Sequence, residues 1–256
     1  GLAGRVRSTF ATAVKMGNNA GKNRMETAKK TGNVILQEQG LKEVPKAVLQ
    51  ITNMRMLNME GNKLAQIPPA LAVCVKGLKT LNLSHNSLTV ISNNVMAAMA
   101  GAIETIDISF NSISHLPAGL SGCGKLKTLI AHHNGLTSDE GGQDALASLS
   151  SLSKLRVINL SHNRLTAFPA GFCQLPRLEE ANLAANGITA IPVEVKGMKQ
   201  LRTLDVGHNR IQSIPPDVLR FSSISRLTVE GNALNGPIED MDGYKEYMAR
   251  RKERID

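Results

Sequence analysis

An asparagine recurs at nearly constant intervals along this 256-residue chain. The series is Asn62, Asn86, Asn111, Asn134, Asn163, Asn186, Asn209 and Asn232, with Gln39 in the same place one unit earlier. From Gln39 the successive spacings are 23, 24, 25, 23, 29, 23, 23 and 23 residues. A short apolar pattern precedes each marker; before Asn163 it is Leu155, Ile158 and Leu160. Self-similarity at such a period denotes a stacked solenoid, and local propensity is read inside that frame. Ile158 and Leu160 alternate with Val157, Asn159 and Ser161, so each unit supplies one short strand with one apolar face. A single unit cannot bury that face, but the next copy can. The marker has its own chemistry. Where the chain turns out of the strand, interior amides and carbonyls need partners, and a short carboxamide both donates and accepts. Losing one costs about 1–3 kcal/mol if its partners stay buried.

A second apolar set follows the markers, as in Leu64 and Ile67, Leu165 and Phe168, or Ile211 and Ile214. In several units a proline comes next, among them Pro45, Pro68, Pro117, Pro169, Pro192 and Pro215. Proline there favours an extended or tightly turning return path over a long helix. These features identify the chain as a member of the leucine-rich repeat class, an α/β solenoid. The expected form is a curved parallel β-sheet on the concave face, brief helical or irregular convex segments and a helical C-terminal cap. Residues 1–22 read as a basic, extended arm. Residues 23–238 read as the repeat array with its N-terminal cap, a short basic helix over Asn23–Lys30 that turns Met25 and Ala28 toward the first rung. Val34, Leu36 and Leu41 make that rung. Residues 239–256 read as a capping helix and charged tail, with Tyr244, Tyr247 and Met248 on one helical face. The long unit after Asn134 carries an acidic bulge near Ser138–Asp144, then a convex helix turning Ala145, Leu146 and Leu149 inward.

Aromatic residues are 3% of the chain and there is no Trp, which suits thin aliphatic layers. The formal charge is +9, concentrated at one end: residues 1–30 hold Arg5, Arg7, Lys15, Lys22, Arg24, Lys29 and Lys30 against Glu26 alone. This reads either as a solubilising tail or as a membrane or assembly contact through residues 1–30. Nucleic acid is not expected as a direct specific ligand, because the arm has one Phe and no other aromatic platform. Cys74, Cys123 and Cys173 are too scattered to staple the array, so a reducing, cytoplasmic setting is expected. The acid-free opening from Arg5 to Lys15 also resembles an organellar transit segment. No apolar run approaches the length that spans a bilayer.

The strand pattern predicts the concave surface. Its central column is Asn58, Asn82, Asp107, Ile130, Asn159, Asn182, Asp205 and Thr228. The next column includes Glu60 and His132, and the column just before the marker holds His85, Phe110, His133, His162 and His208. Arg164 and Arg210 flank it. Small and amide side chains dominate, so a long shallow surface for a protein partner is expected, not a deep pocket. The histidine row invites a metal reading that spacing opposes. Rungs about 4.8 Å apart separate His85 and His133 by roughly 10 Å. His133 and His162 are adjacent, yet no Cys, Asp or Glu completes a set with them and His132. Ser84–His85 and Ser161–His162 are sequential pairs with no acidic third member. Phosphate-loop and dinucleotide fingerprints are absent from the sequence. No cofactor, metal or catalytic residue is therefore expected.

The two ends carry a narrower likeness. Met16-Gly17-Asn18, then Met25-Glu26-Thr27-Ala28-Lys29-Lys30-Thr31-Gly32, lead into Gln39-Gly40-Leu41 and Val44-Pro45. Val229-Glu230-Gly231-Asn232 and Gly243-Tyr244-Lys245-Glu246-Tyr247-Met248-Ala249-Arg250 close the chain. Together these resemble the family of leucine-rich-repeat-containing protein fifty-seven and its protist, algal and plant homologues. The resemblance implies a non-catalytic scaffold. With Met16 as the start it also implies N-myristoylation of Gly17, with Lys22 and Arg24 facing the membrane. An arm that threads a ciliary, ribosomal or respiratory-type assembly is the alternative expectation.

Overall fold

The computed structural model describes residues 18–138, 146 and 149–253. Nine three-residue strands form one parallel sheet in sequence order: β1 (Asn33–Ile35), β2 (Met56–Asn58), β3 (Thr80–Asn82), β4 (Thr105–Asp107), β5 (Thr128–Ile130), β6 (Val157–Asn159), β7 (Glu180–Asn182), β8 (Thr203–Asp205) and β9 (Arg226–Thr228). Helix α1 (Asn18–Thr31) precedes the sheet, α2 (Asn93–Met99) and α3 (Pro216–Phe221) belong to the convex side, and α4 (Tyr244–Lys252) follows. This is the curved solenoid that the period implies.

Register follows the leucine pattern. Val34, Leu57, Leu81, Ile106, Leu129, Ile158, Ala181, Leu204 and Leu227 pair in one row, and all but the terminal Leu227 are buried. A second buried row runs Leu36, Met59, Leu83, Ile108, Ala131, Leu160, Leu183, Val206 and Val229. A one-residue slip would turn both rows to solvent, so the register is strongly specified.

The marker asparagines stand above one another as one hydrogen-bonded ladder. Asn209 shows the pattern: its Nδ2 donates to Leu183 O (3.0 Å) in the preceding rung and to Val206 O (2.9 Å) in its own. Its Oδ1 accepts Ile188 N–H at 2.9 Å. Asn86, Asn111, Asn134, Asn163, Asn186 and Asn232 accept the equivalent amide from the rung before. Asn62 accepts two, from Gln39 and Leu41. No buried side-chain nitrogen or oxygen among the described residues lacks a partner.

The convex return is mostly single 3-10 turns, at Val48–Gln50, Pro69–Val73, Ala118–Gly122, Leu149–Ser151, Ala170–Gln174 and Val193–Gly197. Pro68, Pro117, Pro169 and Pro192 lie in extended conformation directly ahead of four of them, the role expected of a residue with fixed φ. Where Ser92 replaces that proline, the longer unit forms α2 and buries Val95, Met96 and Met99. Leu146 and Leu149 of the long unit are buried as expected. Asp139–Ala145, which includes most of the acidic bulge, lies outside the described residues, as do residues 1–17.

Both ends of the coil are covered. Helix α1 begins ahead of the expected Asn23, since Asn18 and Asn19 are already helical. Its Ala28 is buried and Met25 packs against the same core. Gly32 then turns the chain into β1 at φ +74°, where a Cβ would collide with Asn53 O. At the other end Tyr247 is buried, with Tyr244 and Met248 packed beside it. The Tyr247 hydroxyl accepts Leu227 N–H from β9 at 3.1 Å. The Arg250 guanidinium donates to the carbonyls of Leu219, Arg220 and Ile224, closing the C-terminal end of α3.

Candidate interaction face

Each strand is too short to present more than two outward side chains, so the face is built from columns that repeat rung by rung. The central column aligns as pairs from Asn58 to Asn82, Asp107, Ile130, Asn159, Asn182, Asp205 and Thr228. Its Asn and Asp residues also end the strands. Their Oδ1 atoms accept the N–H two residues on, from Glu60, Ser84, Ser109, Ser161, Ala184 and Gly207, at 2.9–3.0 Å. The hydroxyls of Ser84, Ser109 and Ser161 donate to the same oxygens. These serines are thus turned toward the turn and away from His85 and His162. Ile130 has no acceptor for this role.

Consequently the column is only partly available for recognition. Asn58 is the clearest departure from the expected surface: it is 3% exposed, and its Nδ2 donates to Gln37 Oε1 of the preceding rung at 3.0 Å. Asn82 donates to Glu60 Oε2 at 3.1 Å. The Nδ2 groups of Asn159 and Asn182 have no such partner among the described residues, and both side chains are partly exposed. Arg164 and Arg210 are exposed one residue beyond the markers. A further column escaped the sequence reading: Met56, Thr80, Thr105, Thr128, Val157, Glu180, Thr203 and Arg226 open the strands on the same face. Strand alternation was the signal that places them there. A rim row was also missed, in which Lys79 and Lys127 pair with Glu104, and Arg156 pairs with Glu179.

The column just before the marker has a backbone cause. His85, Phe110, His133, His162, Ala185 and His208 all have φ between +50 and +54°, and Gly61 and Gly231 occupy the same place at +67 and +72°. His is one of the few residue types enriched in this left-handed region. The shared conformation aims successive rings along the coil. His85 stacks on Phe110 at 4.1 Å between centroids, Phe110 on His133 at 4.2 Å, and His133 on His162 at 4.0 Å. His132 meets Phe110 edge-on, and its Nδ1 lies 2.9 Å from His133 Nδ1. One of those nitrogens must donate and the other accept, so the pair holds together with a single proton between them. Burial, then the neighbouring imidazoles, holds His133 below the usual histidine pKa. Burial does the same for His132 against an opposing pull from Asp107.

This arrangement is a ring ladder and differs from a coordination shell. Among the described residues no three His, Cys, Asp or Glu side chains come together in a way that could hold a metal ion. The thiols are unpaired: Cys74 and Cys123 are buried and Cys173 is half-buried. Burial pushes Cys123 and Cys173 up to about 11, which leaves both protonated and unreactive at neutral pH. No helix among the described residues is long and apolar enough to cross a membrane. Gly17 lies outside the described residues.

Comparison with known proteins agrees with the geometry. The leucine rich repeat family model matches residues 52–101, 146–188 and 176–234. Podocan-like protein 1 of Mus musculus is 30% identical over 167 residues, 56% of this chain and 29% of its own length. The Homo sapiens protein of that name is 35% identical over 127 residues, 48% of this chain and 23% of its own. The chain thus spans less than a third of these relatives. A leucine-rich repeat protein of Leptospira interrogans has the same fold at a TM-score of 0.74 and 24% identity, over 85% of this chain and 53% of that one. The plant peptide hormone receptor RGFR1 in complex with RGF2 superposes at 0.65 and 23% identity, over 90% of this chain and 40% of that one. With its repeats matched over more than half of its residues and its marker asparagines stacked in one ladder, the chain belongs to the leucine-rich repeat family.

Proposed function

We propose that the protein is a non-catalytic scaffold or adaptor that holds a protein partner on its concave face. The observation that carries this reading is the contrast between spent and unspent polar groups. Asn58 and Asn82 are satisfied within the chain, whereas Asn159 and Asn182 present amide donors beside Asp205 and the exposed Arg164 and Arg210. Polar groups of this kind fix the register of a partner in a shallow interface. The plant peptide hormone receptor of like fold is in complex with RGF2, which is an analogy of fold. The three unpaired thiols support a reducing, cytoplasmic setting. The likeness of the two ends to the family of leucine-rich-repeat-containing protein fifty-seven supports the scaffold reading. It also supports Gly17 lipidation where Met16 is the start. Exposed Lys29 and Lys30 on α1 favour the second reading, a subunit of a larger assembly or membrane held through residues 1–30.

Capture of a partner by the purified protein separates the two readings. Glu180→Arg with Thr203→Arg places long side chains across Asn159 and Asn182 without touching the Oδ1-capped turns. This variant is expected to keep its thermal midpoint and lose the partner, while removal of residues 1–17 leaves capture intact. The opposite outcome moves the contact to the arm. Capture unaffected by either change, and unaffected by Lys29→Glu with Lys30→Glu on α1, would sink both readings.

A further inference from the structure

We propose that the concave rim contains a slot for one aromatic side chain of the partner, between the rings of His162 and His208 and above Ala185. This rests on the concave-face reading and adds to it the chemistry of the residue received. The ladder repeats one ring per rung at 4.0–4.2 Å from His85 to His162. At the next rung the ring is missing: Ala185 has the same left-handed backbone, φ +52°, and only a methyl group. The following rung resumes with His208, which leans away from the gap. A Cβ on Gly231 would collide with His208 Nδ1 and Cε1, so the imidazole lies over the glycine of the last rung.

The opening is two rungs wide, roughly 8–10 Å at a strand spacing of about 4.8 Å. One planar ring in contact on both faces needs roughly 7–8 Å, twice a carbon–carbon contact of 3.5–4.0 Å. The slot therefore takes one flat group and no more. Its floor has little side chain to obstruct entry, since Ala184 and Gly207 occupy the adjacent column. His162 and His208 are exposed, whereas Phe110 and His133 inside the ladder are half-buried. The terminal ring of the stack is thus open to a further neighbour. A flat guest with two faces to cover is aromatic or a guanidinium. Arg164 and Arg210, exposed two residues beyond the two histidines, repel the cation. Asp205 stands in the central column of the His208 rung, where its Oδ1 accepts the Gly207 amide at 3.0 Å. Its carboxylate can accept from a phenol or an indole N–H, which favours Tyr or Trp over Phe.

The test uses the full chain with labelled imidazoles and four peptides, acetyl-Gly-Gly-X-Gly-Gly-amide with X as Trp, Tyr, Leu or Arg. Millimolar Trp and Tyr peptides are expected to move the His162 and His208 resonances upfield by ring current and to leave His85 unmoved, with no response to Leu or Arg. Ala185→His places in the gap the residue that other rungs carry and should abolish the response, while Ala185→Ser should retain it. Equal shifts from the Leu or Arg peptide, no shift with Trp, or a response persisting in Ala185→His would overturn the slot. Partner capture keeps the two readings apart. Ala185→His is expected to weaken capture about tenfold, the loss of two stacked faces. Capture lost in Glu180→Arg/Thr203→Arg but undiminished in Ala185→His rejects the slot and leaves the concave face standing. Capture insensitive to both rejects the face itself, whatever the peptides do.

Discussion

At the scale of single residues, the two repeating positions of this chain solve different problems. The marker asparagine satisfies buried backbone groups that nothing else can reach. Asn209 is buried and bonds Ile188 N–H and the carbonyls of Leu183, Val206 and Gly207. Asn209→Ala strands several of them together, so a loss on the order of 2–4 kcal/mol is expected in urea unfolding. Asn209→Asp keeps the acceptor and should fall between; equal stability for all three proteins would mean that solvent replaces the ladder. The residue before the marker is chosen for its backbone, and its ring is then available for stacking. That stacking has a pH signature. Unfolded imidazoles take up protons near pH 6.5, while His132 and His133 are held lower in the fold. Between the two values the unfolded chain binds more protons. Their contribution is therefore fully present above about pH 6.5 and declines as pH falls through the window beneath it. His133→Phe, which copies the ring at Phe110, should flatten that decline. A thermal midpoint whose pH dependence is identical in wild type and variant would show that the ladder does not titrate with folding.

At the scale of elements, each strand has three residues and no stability of its own; its neighbours decide whether it forms. The last strand shows this best, because β9 has a neighbour on one side only. Helix α4 compensates through one side chain, Tyr247, which is buried and accepts the Leu227 amide. Tyr247→Phe preserves the packing and removes the acceptor. The expected loss is about 1–2 kcal/mol, with faster hydrogen exchange confined to Leu227 and its neighbours. Uniform acceleration across β1–β8 would contradict so local a role. The presence of a capping helix with its two tyrosines on the apolar side was legible from the spacing of Tyr244, Tyr247 and Met248. Arg250 was not legible as a cap for α3, because the carbonyls it bonds belong to residues 26, 30 and 31 positions earlier.

At the scale of the whole molecule, the solenoid is a one-dimensional stack whose stability is close to a sum of rung and interface contributions. Ends are the exception, since an end rung has one face without a partner rung. Truncation after Asp242 removes α4 and uncovers the two inward rows that end in Leu227 and Val229. The shortened protein is expected to self-associate in size-exclusion chromatography with light scattering and to unfold at lower urea. A monomer of unchanged midpoint would show that the last rung closes itself. The same one-dimensional logic places function on columns, because any feature shared by adjacent rungs becomes a row and any departure becomes a break in it. Ala185 is such a break in the ring ladder, and Ile130 is one in the capped central column.

The period alone determined the number of rungs, the parallel order of the strands, the inward rows and the stack of asparagines. Once leucines and asparagines recur every 23 to 29 residues, only one alignment buries the former and satisfies the latter. The convex turns were legible too, since proline restricts the chain locally. The tertiary structure decided which outward groups are already engaged and which rings meet. Asn58 is hidden by Gln37 from 21 positions earlier, and His85 meets Phe110 only because both adopt positive φ one rung apart. Such contacts join side chains of different coils, and their geometry depends on rotamer, backbone region and rung spacing together, none of which a linear pattern of residue types records.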